Sequence, residues 1–231
     1  MKSRILLVTL FFVLTGGLLW ASSTTNALPP AAVFDLQQWK LDVPGPLEIR
    51  ELAGYSSPYF YLNSAREMCF HLDAADKGHT PNTEYVRSEL RHLPNWDSKE
   101  HHALYAVVRA FSHFSPDKVT LVQIHGMTPQ KTNAPPLLRV ALNGGDLVAI
   151  IKTDSSGHEN DSTLLVKGLG SSPVKIDVVV DGGRLKVWAN NQLKVDRSLA
   201  FWPFLNYFKA GCYPQATHGT GDVFFSSLSA Q

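Results

Sequence analysis

Short runs of alternating apolar and polar residues, separated by turn residues, recur along most of the chain after residue 28. Successive side chains of a strand point to opposite faces, so this alternation indicates strands, and no 3.6-residue helical period is sustained. The clearest stretch is 174–195, where Asp181-Gly182-Gly183 and Asn190-Asn191 separate three such runs. These dipeptides supply the positive backbone dihedrals of tight hairpins, so we predict a three-stranded meander.

The same pattern predicts further strands at residues 103–113, 118–125, 137–142 and 147–152. Many short antiparallel strands in about 200 residues, with no helix-rich half, indicate an all-β fold of two packed sheets, a sandwich or jelly roll. The polar stretch 154–162 is expected to be a surface loop, with a flap beside a cleft as the alternative.

The N-terminal segment has the pattern of a secretory signal peptide. Lys2 and Arg4 precede an apolar run, and small and polar residues follow at 21–27. The uninterrupted apolar run falls short of the roughly 20 residues of a membrane span. We therefore predict a signal peptide at 1–27, a single domain at 28–231, secretion to the extracellular space and no stable membrane insertion, with an uncleaved signal anchor as the alternative.

The charge balance excludes a broad electrostatic mode of binding. The chain has 21 basic and 20 acidic residues, a net charge of 21 − 20 = +1, and loss of 1–27 would leave 19 − 20 = −1. A nucleic-acid binder usually carries a broad basic field, so nucleic acid is not an expected partner. An anionic ligand would have to be met by a local cluster of Arg and Lys. Cys69 and Cys212 could form one disulfide or remain two buried thiols, and the sequence leaves both open.

Three separated segments, 85–91, 119–126 and 207–215, carry polar residues at every second position. If each is a strand, one face would present Arg87, Glu89 and Arg91 from the first, Gln123 and His125 from the second, and Tyr207, Lys209, Tyr213 and Gln215 from the third. Leu121 would share that face, and the bare backbone of Gly211 suggests close approach of a ligand. Pro214 cannot donate to the ladder, so the strand should lie at an edge or bulge there. Each segment alone has a structural explanation, whereas the three together indicate a shared binding groove.

These segments resemble the three signature motifs of polysaccharide lyase family 7, the jelly-roll alginate lyases. The family patterns are Arg-Ser-Glu-Leu-Arg, Gln-Ile/Val-His and Tyr-Phe-Lys-Ala-Gly-x-Tyr-x-Gln, and residues 87–91, 123–125 and 207–215 match every fixed position. Residues 34–41 resemble the opening strand of the family and 223–228 its closing strand. The resemblance therefore extends from about Phe34 to Gln231. Asp42 and Val43 depart from the usual Thr-Leu, and Pro214 from the usual Asn.

The resemblance implies a jelly roll with a concave substrate-binding cleft and β-elimination of alginate or a related polyuronate. Arg87 and Gln123 would neutralise the substrate carboxylate, His125 would accept the C5 proton and Tyr213 would protonate the leaving O4. Where both groups lie on the same face of the sugar, Tyr213 would do both. Arg91, Lys209, Tyr207 and Gln215 would bind neighbouring sugars, and Glu89 would orient the Arg side chains. No metal or other cofactor is implied, and the protein is expected to act as a monomer on an acidic polysaccharide.

Three rival functions remain at this level. A glycosidase on the same scaffold requires two carboxylates, whereas the predicted polar face offers only Glu89. A non-catalytic module that binds acidic glycans would have no use for His125 and Tyr213 poised together. Within the lyases, another polyuronate such as glucuronan could replace alginate, because the chemistry requires only a uronate.

Overall fold

A computed structural model of the protein describes residues 28–45, 48–79, 83–130 and 132–231. The predicted signal peptide, 1–27, lies outside these ranges. A 3-10 helix spans Pro30–Ala32. The strands are β1 (Trp39–Asp42), β2 (Phe60–Leu62), β3 (Met68–Asp73), β4 (Ser88–His92), β5 (His102–Ser112), β6 (Lys118–Met127), β7 (Asn133–Asn143), β8 (Asp146–Lys152), β9 (Asn160–Val166), β10 (Val174–Asp181), β11 (Arg184–Ala189), β12 (Gln192–Ser198), β13 (Leu205–Pro214) and β14 (Thr220–Ala230).

The strands form two antiparallel sheets of seven strands each. Sheet one has the order β1-β4-β13-β6-β7-β8-β9, and sheet two has the order β12-β11-β10-β5-β14-β3-β2. Strands far apart in the chain are neighbours in both sheets, as with β4 and β13 in sheet one and β5 and β14 in sheet two. The predicted all-β jelly roll of two antiparallel sheets is confirmed.

The core fills the space between the sheets. Phe208 and Leu90 of sheet one and Phe70 and Phe225 of sheet two are fully buried, and the rings of Phe70 and Phe225 meet edge to face at 5.6 Å. Burial of each such side chain contributes about 1.5–3 kcal/mol. A slip of one residue in register would exchange the two faces of a strand, so this apolar face fixes which side chains point outward.

The predicted meander is confirmed as β10, β11 and β12. Its turns use Gly182 and Gly183 at φ 55° and 76° and Asn190 and Asn191 at φ 48° and 64°. The expectation of a loop over the whole of 154–162 is wrong at its C-terminal end, because β9 begins at Asn160 and pairs with β8. Residues 34–41 are likewise extended only from Trp39 onward.

Two register shifts alter the simple alternation around the predicted polar face. The shift between Thr120 and Val122 in β6 brings Leu121 into the core cluster beside Val122, so Leu121 does not belong to the polar face as predicted. In β13 the register shifts between Ala210 and Tyr213. The predicted bulge is therefore present. Pairing with β4 stops at Cys212, so Pro214 is paired with β6 alone and lies at a local edge, as the alternative expected.

Cys69 and Cys212 are both buried free thiols. Burial raises the pKa of the Cys69 thiol to about 12.

Among the described residues, no helix has the length and apolar character needed to cross a membrane. Within the same ranges, no group of three or more His, Cys, Asp or Glu side chains is placed to hold a metal ion.

Candidate active site

The outer face of sheet one carries a row of polar side chains across five strands. Lys40 of β1 lies opposite Arg91 of β4, which lies opposite Lys209 of β13. Lys209 lies opposite Gln123 of β6, and Gln123 lies opposite Arg139 of β7. Neighbouring strands are about 4.8 Å apart, so the row extends roughly 19 Å across the sheet.

This row forms the floor of a cleft with a volume of about 1050 Å³. Its lining residues are Lys40, Asp42, Glu48, Arg50, Thr83, Arg87, Arg91, Leu93, Asn95, Gln123, His125, Met127, Asn133, Ala134, Pro136, Arg139, Tyr207, Lys209, Tyr213 and Gln215. Six of them are Lys or Arg and two are Asp or Glu. The cleft therefore presents an excess of positive charge although the chain as a whole is nearly neutral.

A buried carboxylate beneath the floor holds donors from three segments. Glu89 is fully buried and accepts hydrogen bonds from Lys209 Nζ at 2.6 Å, Arg87 Nη1 at 3.2 Å and Gln123 Nε2. Burial by itself raises the pKa of Glu89, but the charges of Lys209 and Arg87 outweigh that effect and hold the pKa below its usual range. Glu89 is thus an ionised anchor that fixes the orientation of three cleft side chains.

Arg87, which precedes β4, contacts Tyr213 near the end of β13. The Arg87 guanidinium lies 4.1 Å from the centroid of the Tyr213 ring, and the Tyr213 hydroxyl is 2.9 Å from Thr83 Oγ1. Arg87 Nε is buried and has no hydrogen-bond partner within the described ranges. Arg87 itself lines the cleft, and its guanidinium has further N–H groups that can donate to an anionic ligand.

The tautomer of His125 follows from its hydrogen bond. Nδ1 lies 3.0 Å from the carbonyl oxygen of Gly126, and because a carbonyl only accepts, Nδ1 carries the proton. Burial, with a smaller contribution from the nearby charge of Lys209, lowers the pKa of His125 to about 4. The ring is therefore neutral near pH 7, and its Nε2 has no hydrogen-bond partner in the part of the chain that the structure describes.

The ring of Tyr207 contacts both His125 and Arg91. Its ring stacks on the imidazole with centroids 5.2 Å apart, and the Arg91 guanidinium lies 4.1 Å from its centroid. Burial raises the pKa of Tyr207 to about 12, so its phenol stays protonated and serves as a platform. Arg91 donates to the carbonyl oxygens of His92 and Leu93 and to Asn95 Oδ1.

The structure brings eight of the nine predicted site residues to the cleft wall. Glu89 is the exception: it lies beneath the floor, so the prediction that it contacts substrate is corrected to a role through the donors it holds. Glu89 forms an ion pair with Arg87, whereas Arg91 donates to Asn95. The prediction that Glu89 orients the arginine side chains therefore applies to Arg87 alone. Arg87 precedes β4, so the predicted strand begins three residues later than 85.

Several cleft residues were missed by sequence reasoning. Arg139 had a detectable signal, a lone cation inside the apolar strand 137–142. Asp42, whose Oδ2 lies 3.5 Å from Lys209 Nζ, and Glu48, which pairs with Lys40 and Arg50, had none, because only the pairing of β1 with β4 brings that region to the cleft.

Gly211 has a different role from the one predicted. A Cβ atom at this position would lie 2.4 Å from the carbonyl oxygen of Ser88 and 2.6 Å from Glu89 Cα. The close approach that requires a glycine here is therefore that of the neighbouring strand β4, and Gly211 is not among the residues that line the cleft.

A family model described as alginate lyase matches residues 34–231. The chain belongs to the alginate lyase family. The match begins and ends where the resemblance of the motifs placed it. An alginate lyase from a Photobacterium species is 30% identical over 188 residues, which make up 64% of this chain and 66% of that protein. The aligned region thus spans just under two thirds of the length of this relative.

Solved structures of the alginate lyase family share the fold. Alginate lyase A1-II', a member of polysaccharide lyase family 7, matches with a TM-score of 0.82 and 28% identity, over 87% of this chain and 97% of its own. A variant of A1-II' with His replaced by Asn and Tyr by Phe, in complex with the substrate GGMG, matches with a TM-score of 0.81 and 29% identity, over 89% and 97% of the two chains.

Proposed function

We propose that this protein is a secreted alginate lyase that cleaves its 1,4-linked uronate polymer by β-elimination and releases unsaturated oligouronates. The observation that carries this proposal is a neutral histidine, His125, with a free Nε2, in the same cationic cleft as Tyr213. A base and a hydroxyl acid are the two proton-transfer groups that the elimination requires. The alginate-lyase relatives and the substrate complex of A1-II' support alginate as the polymer.

The first requirement of the reaction is neutralisation of the uronate carboxylate. Arg87 lines the cleft and gives Nη1 to Glu89, so its remaining guanidinium N–H groups can donate to a carboxylate oxygen. Gln123 gives one of its two amide N–H groups to Glu89 and retains the other for the ligand. The carboxylate can then take up the charge that develops as C5 loses its proton.

The bond changes balance within the site. His125 Nε2 takes the C5 proton, the electron pair of that C–H bond forms the C4–C5 double bond, and the C4–O4 bond breaks. The Tyr213 hydroxyl gives its proton to the departing O4, and its hydrogen bond with Thr83 orients it. Each turnover leaves a protonated imidazole and a phenolate, and transfer of one proton restores both.

The carboxylates of the cleft do not suit the rival glycosidase. The structure adds Asp42 and Glu48 to the single carboxylate that the sequence offered. However, the pKa of Glu48 is lowered by its hydrogen bond with Lys40, and that of Glu89 by its cations. A glycosidase acid needs a raised pKa, and neither group provides one.

The decisive experiment follows the ultraviolet absorbance of unsaturated ends during incubation with alginate, polymannuronate, polyguluronate and glucuronan. We expect His125→Ala and Tyr213→Phe each to lower the rate by about 10²- to 10⁴-fold. His71→Ala and Tyr105→Phe, on the strands β3 and β5 of sheet two, are matched controls that should retain activity.

Three outcomes would contradict this proposal. Full activity in either cleft variant would remove the assigned roles. Binding of polymer without any fall in its viscosity would make the protein a glycan-binding module. Cleavage of glucuronan but not of alginate would move it to another polyuronate. Mass spectrometry of the exported protein tests secretion, because we expect the mature chain to begin near residue 28.

A further inference from the structure

Among the described residues of the cleft, Arg139 is the cation that lacks a partner. It lies on β7 opposite Gln123, is half-buried and lines the cleft. Across the described ranges, its guanidinium makes no hydrogen bond and no ion pair. A guanidinium carries five N–H donors and no acceptor, so an acceptor has to come from water or from a ligand.

The other cleft cations are already engaged. Glu89 holds Arg87 and Lys209, Glu48 holds Lys40 and Arg50, and Arg91 donates to two backbone carbonyls and Asn95. Arg139 is thus the guanidinium in the described cleft that is free to receive a carboxylate without breaking an existing pair.

The surroundings of Arg139 disfavour its positive charge unless an anion is bound. Its charge interacts with those of Lys118 and Lys152, and each of these interactions lowers the pKa of the lysine involved, after burial as the larger cause. Burial lowers the pKa of Arg139 as well. Desolvation and like charges both disfavour an unpaired cation, so the site gains free energy when an anion binds.

The position of Arg139 relates it to the reacting centre. It lies one strand, about 4.8 Å, beyond Gln123 along the row, and its charge interacts with Tyr213. Gln123 is the residue that donates to the reacting carboxylate in the proposed mechanism. The next carboxylate of a uronate polymer on the β7 side of the cleft would therefore meet Arg139.

We infer that Arg139 binds the carboxylate of the uronate residue adjoining the one that loses its C5 proton. This inference rests on the proposed function and makes Arg139 a residue that favours substrates with two consecutive carboxylated sugars. It contributes a charge-assisted hydrogen bond to substrate and takes no part in proton transfer.

The test compares Arg139→Met with Lys118→Met in the full chain. Lys118 interacts electrostatically with Arg139 but does not line the cleft, so its variant controls for loss of a nearby charge. We expect Arg139→Met to raise the KM for alginate at least about tenfold, the loss typical of a hydrogen bond to a charged group, with kcat within about threefold. Added NaCl should raise KM less in this variant than in wild type.

Thermal unfolding separates binding from a structural role. Removal of an unpaired, partly desolvated charge should leave the melting temperature of Arg139→Met equal to or above that of wild type, and Arg139→Lys should recover part of the lost affinity. A lower melting temperature in both variants would make Arg139 structural and overturn the inference. An unchanged KM in Arg139→Met would also overturn it. Wild-type protein that forms no unsaturated ends would instead refute the proposed function.

Discussion

At the scale of single residues, the role of each side chain in the site depends on its hydrogen-bond and ion-pair partners. Glu89 is identical to the glutamate of the family motif, yet its burial beneath Lys209, Arg87 and Gln123 makes it an anchor. Removal of one partner from such a buried network leaves an uncompensated charge, which typically costs about 3–5 kcal/mol. Donors that are fixed in advance need no reorganisation when charge develops on the substrate.

The pKa of His125 predicts the acid side of the pH profile. Only the neutral ring accepts a proton, so activity is present above its pKa and is lost as the pH falls through it. We expect kcat/KM to stay nearly constant from pH 7 to about 5.5 and to fall below a pKa of about 4, measured by initial rates on alginate. Lys209→Met should move this fall to higher pH, because Lys209 lowers the pKa of His125. A fall centred near pH 6.5 in wild type would contradict the prediction.

At the scale of elements, the pairing of β13 with β4 joins two of the three motifs. Lys209 lies opposite Arg91 and Gly211 opposite Glu89, so the distance between these strands sets the position of the anchor relative to the cations. Gly211 allows this distance because its backbone lies against that of Ser88 and Glu89.

Gly211→Ala should therefore disturb the site through the backbone. The added Cβ would meet backbone atoms at 2.4 and 2.6 Å, which cannot move aside as a flexible side chain could. We expect the free energy of unfolding to fall by about 1–3 kcal/mol, measured by urea denaturation, together with a loss of lyase activity. Gly54→Ala is the control, since nothing lies within 4 Å of a Cβ there. Equal stability of the two variants would contradict this account of Gly211.

At the scale of the whole molecule, the cationic cleft is a local feature of a nearly neutral chain. Six cations from four strands and two connecting segments converge on one face, while the opposite face of the sheet is apolar and packs on sheet two. Such convergence concentrates a polyanion at the cleft without giving the protein a general affinity for polyanions.

The free energy of unfolding should decrease in mild acid because two buried histidines have lowered pKa values. The pKa values of His92 and His125 are lowered by burial to about 4, whereas an unfolded histidine titrates near 6.5. Between these values the unfolded chain binds more protons, so the free energy of unfolding falls as the pH drops from about 6.5 towards 4. His92, which is 6% exposed, contributes on the order of 3 kcal/mol at most. Urea unfolding at several pH values should show a smaller decrease in His92→Gln, and an equal decrease would contradict the assignment.

The sequence by itself determined most of the strands, the meander and most of the polar face. Alternation and turn residues are local properties, and eight of the nine predicted residues reach the cleft because the period of a strand fixes their direction. The family could likewise be predicted, since its motifs are contiguous in the chain. The order of the strands and the register shift at Leu121 depend on pairing between distant segments and were not predictable from local pattern.

Only the tertiary structure decided which polar side chains are satisfied and which are free. Arg87, Arg91 and Arg139 are the same residue type, but they differ in their partners. Glu89 binds Arg87 and backbone carbonyls bind Arg91, whereas Arg139 has no partner in the part of the chain that the structure describes. The depressed pKa of His125 has the same origin, since burial and the charge of Lys209 exist only once β6 and β13 are paired. Local pattern fixes the direction of a side chain, whereas its chemistry depends on neighbours that the fold supplies.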